Sequence, residues 1–125
     1  MSLTLKTPNN CTLWHKVREL VHLSEKEMDA ALIKHPTFPA AFCGPGEEAT
    51  VNRLVDLYRR ENDTGTPTAE RVLHEEFYEF IQAIQQGDKA AAAKELAQVV
   101  QVCARIYFHL DHYIAQHQKK EADHA

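Results

Sequence analysis

Five polar residues bracket one glycine in this chain, and their types and spacing suit the binding of a hard cation. Glu75, Glu76 and Glu79 precede Gly87; Glu95 and Gln98 follow it. Glu79 stands 8 residues before Gly87 and Glu95 stands 8 after, while Glu76 and Gln98 are each 11 residues away. Where a glycine turns one helix back along another, equal counts become equal heights. A rotation of about 100° per residue puts Glu76 at the edge of an apolar stripe of Leu73, Phe77, Phe80, Ile81 and Ile84, with Glu79 just beyond and Glu75 further out. On the second helix Glu95 shares its azimuth with Val99, Val102, Ile106 and Tyr113, and Gln98 lies at the border of that face. An uncompensated ion at such a position costs several kcal/mol, and facing carboxylates raise one another's pKa unless a cation lies between them. Magnesium is the expected ion because it takes oxygen ligands and meets proteins through a few carboxylates plus substrate phosphates. Two plainer readings stand beside it: a solvated Glu-rich helix face, and salt bridges to Lys94, Arg71 or Arg105.

The elements that must position these residues are helical. Leu13, Trp14, Val17, Leu20 and Val21 recur at helical steps and predict a short first helix ending near Leu23. Ser24 and Glu27 have the spacing of a capping box, which predicts a second helix to about Lys34. Pro36, Pro39, Gly44 and Pro45 make residues 35–46 a loop. Val51, Leu54, Val55, Leu57 and Tyr58 predict a third helix closing at Asn62-Asp63-Thr64-Gly65. Thr66 with Pro67 after it suits the start of a fourth helix running to Gln86, Gly87 suits a left-handed turn, and Asp88 suits the cap of a fifth helix reaching about His117. Residues 118–125 are expected to fray. The fold expected is therefore all-α, a single domain over residues 1–125 with its helical bundle built around an antiparallel αα-hairpin that carries the carboxylates.

Composition agrees with that class and removes others. A chain of 125 residues has length for one domain, and 4 glycines and 5 prolines against 44% hydrophobic residues exclude collagen-like and disordered chains. The net charge of −4, with no long basic cluster, gives a nucleic acid backbone nothing to hold. Cys11, Cys43 and Cys103 form no Cys-x-x-Cys pair, the N-terminus lacks the pattern of a signal peptide, and no apolar run reaches membrane-spanning length. A cytoplasmic location with no membrane partner is the expectation.

Glu75-Glu76-Phe77-Tyr78-Glu79-Phe80, then Glu95-Leu96-Ala97-Gln98-Val99-Val100 after a Gly-Asp turn, resembles the MazG-like all-α nucleoside triphosphate pyrophosphohydrolases. Their pattern is Glu-Glu-x-x-Glu on one helix and Glu-x-x-Asp on the next, and the 15 residues between Glu79 and Glu95 suit it. The resemblance covers about residues 50–110, which makes residues 50–117 the core and residues 12–34 a helical extension outside it. It implies magnesium, or manganese in its place, held by Glu76, Glu79 and Glu95 with Gln98 as a fourth position. It also implies hydrolysis of a nucleotide between its α- and β-phosphates, and assembly into homodimers or higher homo-oligomers. Glu76 or Glu79 would take the proton of the attacking water; Lys94, Arg105 and Tyr58 are the candidates for contacting the nucleotide. Where the pattern has Asp this chain has Gln98, which removes one negative charge and leaves a weaker amide ligand. A fold that binds a nucleotide without turning it over is the alternative.

Other groupings carry less. Glu19-x-x-His22 is half of a di-iron ligand set whose second half is missing. His109, Asp111, His112 and His117 could hold a transition metal but read as solvated positions on a helix end. Cys43 with His35 lacks the third group of a nucleophilic site. The fifth helix has Ala97, Ala104 and Phe108 opposite its main stripe of Leu96, Val99, Cys103, Ile106 and Leu110. Either a second subunit or the N-terminal helices would cover that second side.

Overall fold

The structure is a computed structural model that describes residues 5–6, 9–42 and 48–124. Among these residues the regular structure is entirely helical: α1 (Asn10–Lys34), α2 (Glu48–Thr64), α3 (Ala69–Gln85), α4 (Lys89–Phe108) and α5 (Leu110–His124). The helix α3 is central. It packs on α4 along one side and on α2 along another, and α1 joins the bundle through α4.

The N-terminal region differs from expectation because nothing interrupts it. Asn9 caps α1 by accepting the Thr12 amide at 2.9 Å, and one helix of 25 residues follows, where two were expected. Ser24 caps nothing; its hydroxyl donates back to the Leu20 carbonyl at 2.8 Å inside the continuous helix. A capping box acts only where the chain already leaves helical geometry, and with no Gly or Pro near Leu23 the serine bonds to the preceding turn instead. From His35 to Phe42 the chain is non-helical, as its prolines require, and Phe42 lays its ring edge-on to Phe80 of α3 at 5.6 Å. Cys43, Gly44, Pro45 and Gly46 lie outside the described residues.

Three further boundaries move. The helix α2 continues through Asn62 and Asp63 to Thr64, whose hydroxyl bonds the Arg60 carbonyl, and the chain leaves it at Gly65. Thr68, not Thr66, caps α3: its backbone is extended (φ −115°, ψ 159°) and its side chain accepts the Arg71 amide. Both threonines are competent caps, but Thr68 places Glu70 in the first turn, where the helix dipole favours an acid. After α4 the expected single helix breaks at His109 (φ −103°, ψ 16°) and resumes as α5. No Gly or Pro marks that break. The polar tail does not fray over residues 118–124; its Gln-Lys-Lys-Glu-Ala-Asp run is good helix-forming sequence, and His117 lies 3.8 Å from Glu121 one turn on.

The turn between α3 and α4 follows the sequence closely. Gly87 adopts φ +70°, its amide donates to Ile84 and the Asp88 amide to Ala83, and the Asp88 side chain accepts the Ala91 amide at 3.0 Å. The core is shallower than the stripes suggested. Val51, Val55 and Ile81 form its centre with Tyr78 packed against them. On α4 the buried residues are Ala92, Val102 and Ala104, while Leu96 of the expected stripe is 47% exposed. Phe77 and Ile84 on α3 are likewise partly in solvent.

Candidate functional site

The acidic residues do meet. Carboxylate oxygens of Glu75, Glu76 and Glu79 lie within 4.8 Å of one another, and this is the only group of three or more potential metal-ligating side chains that gathers among the described residues. Glu76 and Glu79 are spaced three apart on α3, so one helical turn stacks them. Glu75 was expected to point further out, yet its carboxylate joins the group. Azimuth fixes where a Cβ projects, and the three rotatable bonds of a glutamate carry its oxygens well beyond that direction.

Burial and charge act on this group together. Glu76 is pushed up to about 7, first by burial, then by the charges of Glu79 and Glu95 and by its carboxyl contact with Glu95. Glu95 is raised too, by burial first and then by its contact with Glu79 and that residue's charge. Glu95 on α4 thus acts on the group electrostatically, although its carboxylate is not one of the three that gather. Lys94, next to Glu95 on the exposed side of α4, partly opposes the shift.

Cations and amides from α2 address the same carboxylates. Arg59 donates from Nε to Glu79 Oε1 at 2.9 Å, and the Glu79 side chain is only 14% exposed. That bond holds the guanidinium still more firmly protonated. Asn62 donates from Nδ2 to Glu75 Oε1 and to the Arg71 carbonyl, both at 3.3 Å, while its Oδ1 is buried with no hydrogen-bond partner. One turn towards Gly87, Gln82 donates to Asn52 Oδ1 at 2.8 Å. Sequence reasoning proposed Lys94, Arg71 or Arg105 as the compensating base; Arg71 instead pairs with Glu61 at 3.5 Å. Arg59 and Asn62 were missed because their partners lie 20 and 13 residues away on another helix.

The other expected site residues fall around this group or away from it. Gln98 accepts from Gln101 Nε2 at 3.3 Å along α4. Tyr58 stacks on Tyr78 with ring centroids 5.7 Å apart and planes 7° from parallel, and His74 meets both rings edge-on. Arg105 lies 10 residues beyond Glu95 on α4, about 15 Å along the axis, and its charge acts on His109. His109 is held below the ordinary imidazole range, by burial first and then by His112 and Arg105. Glu19 is engaged by Lys16 and Tyr107, both at 3.2 Å, and His22 sits 3.8 Å from Glu25. A cleft of about 370 Å³ opens elsewhere, between the start of α3, the end of α4 and α5, over Leu73, Ile106, Leu110 and Tyr113; none of the clustered glutamates lines it. No helix among the described residues is long and apolar enough to cross a membrane.

The donor set is chemically a hard one: three carboxylates gathered on α3, partly desolvated, with Glu95 of α4 adding to the repulsion. It fits a divalent cation of the magnesium type better than a thiophilic or imidazole-seeking metal. No family model, curated protein or solved structure matches the chain.

Proposed function

We propose that this chain is a magnesium-dependent nucleotide pyrophosphohydrolase that cleaves a nucleoside triphosphate, or a related nucleotide, to the monophosphate and pyrophosphate. The observation that carries the reading is the convergence of Glu75, Glu76 and Glu79 within 4.8 Å, with the charge of Glu95 on α4 acting on Glu76. Magnesium or manganese, when bound there, would neutralise polyphosphate charge and acidify a water. The chain's own residues would do the rest. Glu79 and Glu95 would offer the ion carboxylate oxygens from opposite helices. Glu76, titrating near neutrality, is suited to accept and release a proton at its carboxylate oxygen, because general bases work best when their pKa lies near the working pH. Arg59, half in solvent, can leave Glu79 and meet a phosphate, a planar donor suited to that ligand. Tyr58, already stacked on Tyr78, offers a ring edge for a nucleobase, and Lys94 offers a charge beside Glu95. The partners of this reading are a nucleotide and a second copy of the chain, in a cytoplasmic setting.

A specific observation favours a second reading. Gln98 bonds along its own helix to Gln101, and Arg59 already neutralises Glu79, so the fold can persist as a nucleotide-binding module without turnover. Pyrophosphate release decides between them. Ordinary and modified (d)NTPs are offered with Mg²⁺ or Mn²⁺ to the wild type, Glu79→Ala and Gln98→Asp. Turnover abolished by Glu79→Ala supports the enzyme; no release from any substrate, and none gained with Gln98→Asp, removes it in favour of the binding module.

A further inference from the structure

The bond from Arg59 to Glu79 joins a carboxylate that is held in place to a cation that is free to turn. The Glu79 side chain is 14% exposed and its carboxylate belongs to the group with Glu75 and Glu76, so its charge needs a partner where it stands. The Arg59 side chain is 52% exposed and meets Glu79 through Nε; its terminal nitrogens make no hydrogen bond among the described residues. Those nitrogens form an edge that can grip a phosphate with two parallel bonds. The helices need not part for Arg59 to turn, because Gln82 still bonds Asn52 and Asn62 still bonds Glu75 on either side of it.

Charge decides what each partner accepts in exchange. The charges of Glu75 and Asp56 act on Arg59 together with that of Glu79, so a guanidinium with no other anion to meet stays where it is. A divalent cation that comes alone must displace it from Glu79. A polyphosphate that comes alone meets the carboxylates of Glu75, Glu76, Glu79 and Glu95 and is repelled. When both come, the cation takes Glu79, Arg59 turns onto a phosphate oxygen, and every charge keeps a partner.

We infer that Arg59 is an exchange residue: it occupies Glu79 until a divalent cation and a polyphosphate arrive together, then changes partner from carboxylate to phosphate, so that each ligand strengthens the binding of the other. The inference rests on reading the acidic group as a site for a cation and a nucleotide, and adds to that reading a coupling and the residue that carries it. Linkage makes the coupling reciprocal, the polyphosphate raising affinity for the cation by the same factor as the cation raises affinity for the polyphosphate. A cation that bridges protein and phosphate couples the two in any case. The share due to Arg59 is the part that disappears with its guanidinium, about 10-fold on the scale of coupled sites.

Paramagnetic resonance of free Mn²⁺ tests it on the full chain, with methylenediphosphonate as a polyphosphate mimic whose P–C–P bridge does not hydrolyse and which needs no nucleobase contact. The Mn²⁺ affinity of wild type and Arg59→Gln is measured with and without the mimic, after subtracting the Mn²⁺ that the mimic takes up in protein-free solution. The gain in affinity brought by the mimic is expected to be about 10-fold larger in the wild type than in Arg59→Gln, with Arg59→Lys between them. A second readout is the Arg59 Nε–H proton resonance, which is expected to move when Mg²⁺ and the mimic are added together and far less with either alone. An equal gain in wild type and Arg59→Gln overturns the inference and leaves the hydrolase reading to stand or fall on pyrophosphate release. Absence of Mn²⁺ binding by either protein, with or without the mimic, removes the cation site and the inference together. Should Arg59→Gln lose helicity by circular dichroism, the wild-type resonance carries the test: a signal that Mg²⁺ and the mimic together leave unmoved overturns the exchange.

Discussion

Replacing Glu76 with Gln should stabilise this protein above neutral pH and leave it nearly unchanged in acid. Folding raises the Glu76 carboxyl from 4.5 to about 7, so between those values the folded chain binds a proton that the unfolded chain has released. Stability from this group is complete below about pH 4.5 and is lost as pH rises through about 7. The full shift corresponds to about 3 kcal/mol, and screening of a group still partly open to solvent reduces this to about 1–2 kcal/mol. Glutamine has the shape of the neutral acid and escapes the loss. For a chain of this length about 4 °C of melting temperature accompanies each kcal/mol. At about pH 8 with a chelator, Glu76→Gln should therefore melt about 4–8 °C above the wild type, and near pH 4.5 within about 2 °C of it. Magnesium at about 10 mM should then raise the wild type by more than the variant, because the wild type keeps the ligand that the ion offsets. Melts that coincide at pH 8 in the chelator would refute the burial and repulsion assigned to Glu76. Equal magnesium shifts in both proteins would refute its role as a ligand.

Three further outcomes follow from other contacts. Arg59→Gln removes the cation beside Glu79 and should tighten Mn²⁺ binding in the absence of nucleotide by roughly 10-fold, read by the paramagnetic resonance of free Mn²⁺; unchanged affinity would mean that the guanidinium does not compete with the ion. Gly87→Ala should destabilise the fold by about 1 kcal/mol, read in urea unfolding, because φ is +70° there although an added Cβ meets no atom within 4 Å. Val55→Ala, at a site with no exposed surface, should cost about 2–3 kcal/mol and lower the urea midpoint without altering the slope.

What the sequence revealed follows from how local each feature is. The turn at Gly87 and the stacking of Glu76 and Glu79 on one helix were readable because one rotation per residue and one count from a glycine determine them. Helical content was readable for the same reason. The limits of α1 and α4 were not: Ser24 has a cap's neighbours without a cap's backbone, and the bend at His109 has no Gly or Pro to announce it. Arg59, Asn62 and the inward reach of Glu75 depend on how α2 lies against α3, which the periodicity of neither helix contains. The cover over the back of α4 lay between the two readings the sequence left open. The helix α1 shields its C-terminal end and leaves the N-terminal end bare.

The three rungs from α2 to α3, Asn52 to Gln82, Arg59 to Glu79 and Asn62 to Glu75, have a consequence for how this protein behaves when no ion is at hand. Two of them end on the very carboxylates that would hold a cation, so the protein itself supplies a counter-charge in Arg59 and an amide donor in Asn62 and keeps its helices in register with them. Purification in a chelator should accordingly leave the fold intact. An arriving ion would announce itself by loosening side chains of α2, a spectroscopic change around Tyr58 and Arg59, and not by assembling the bundle.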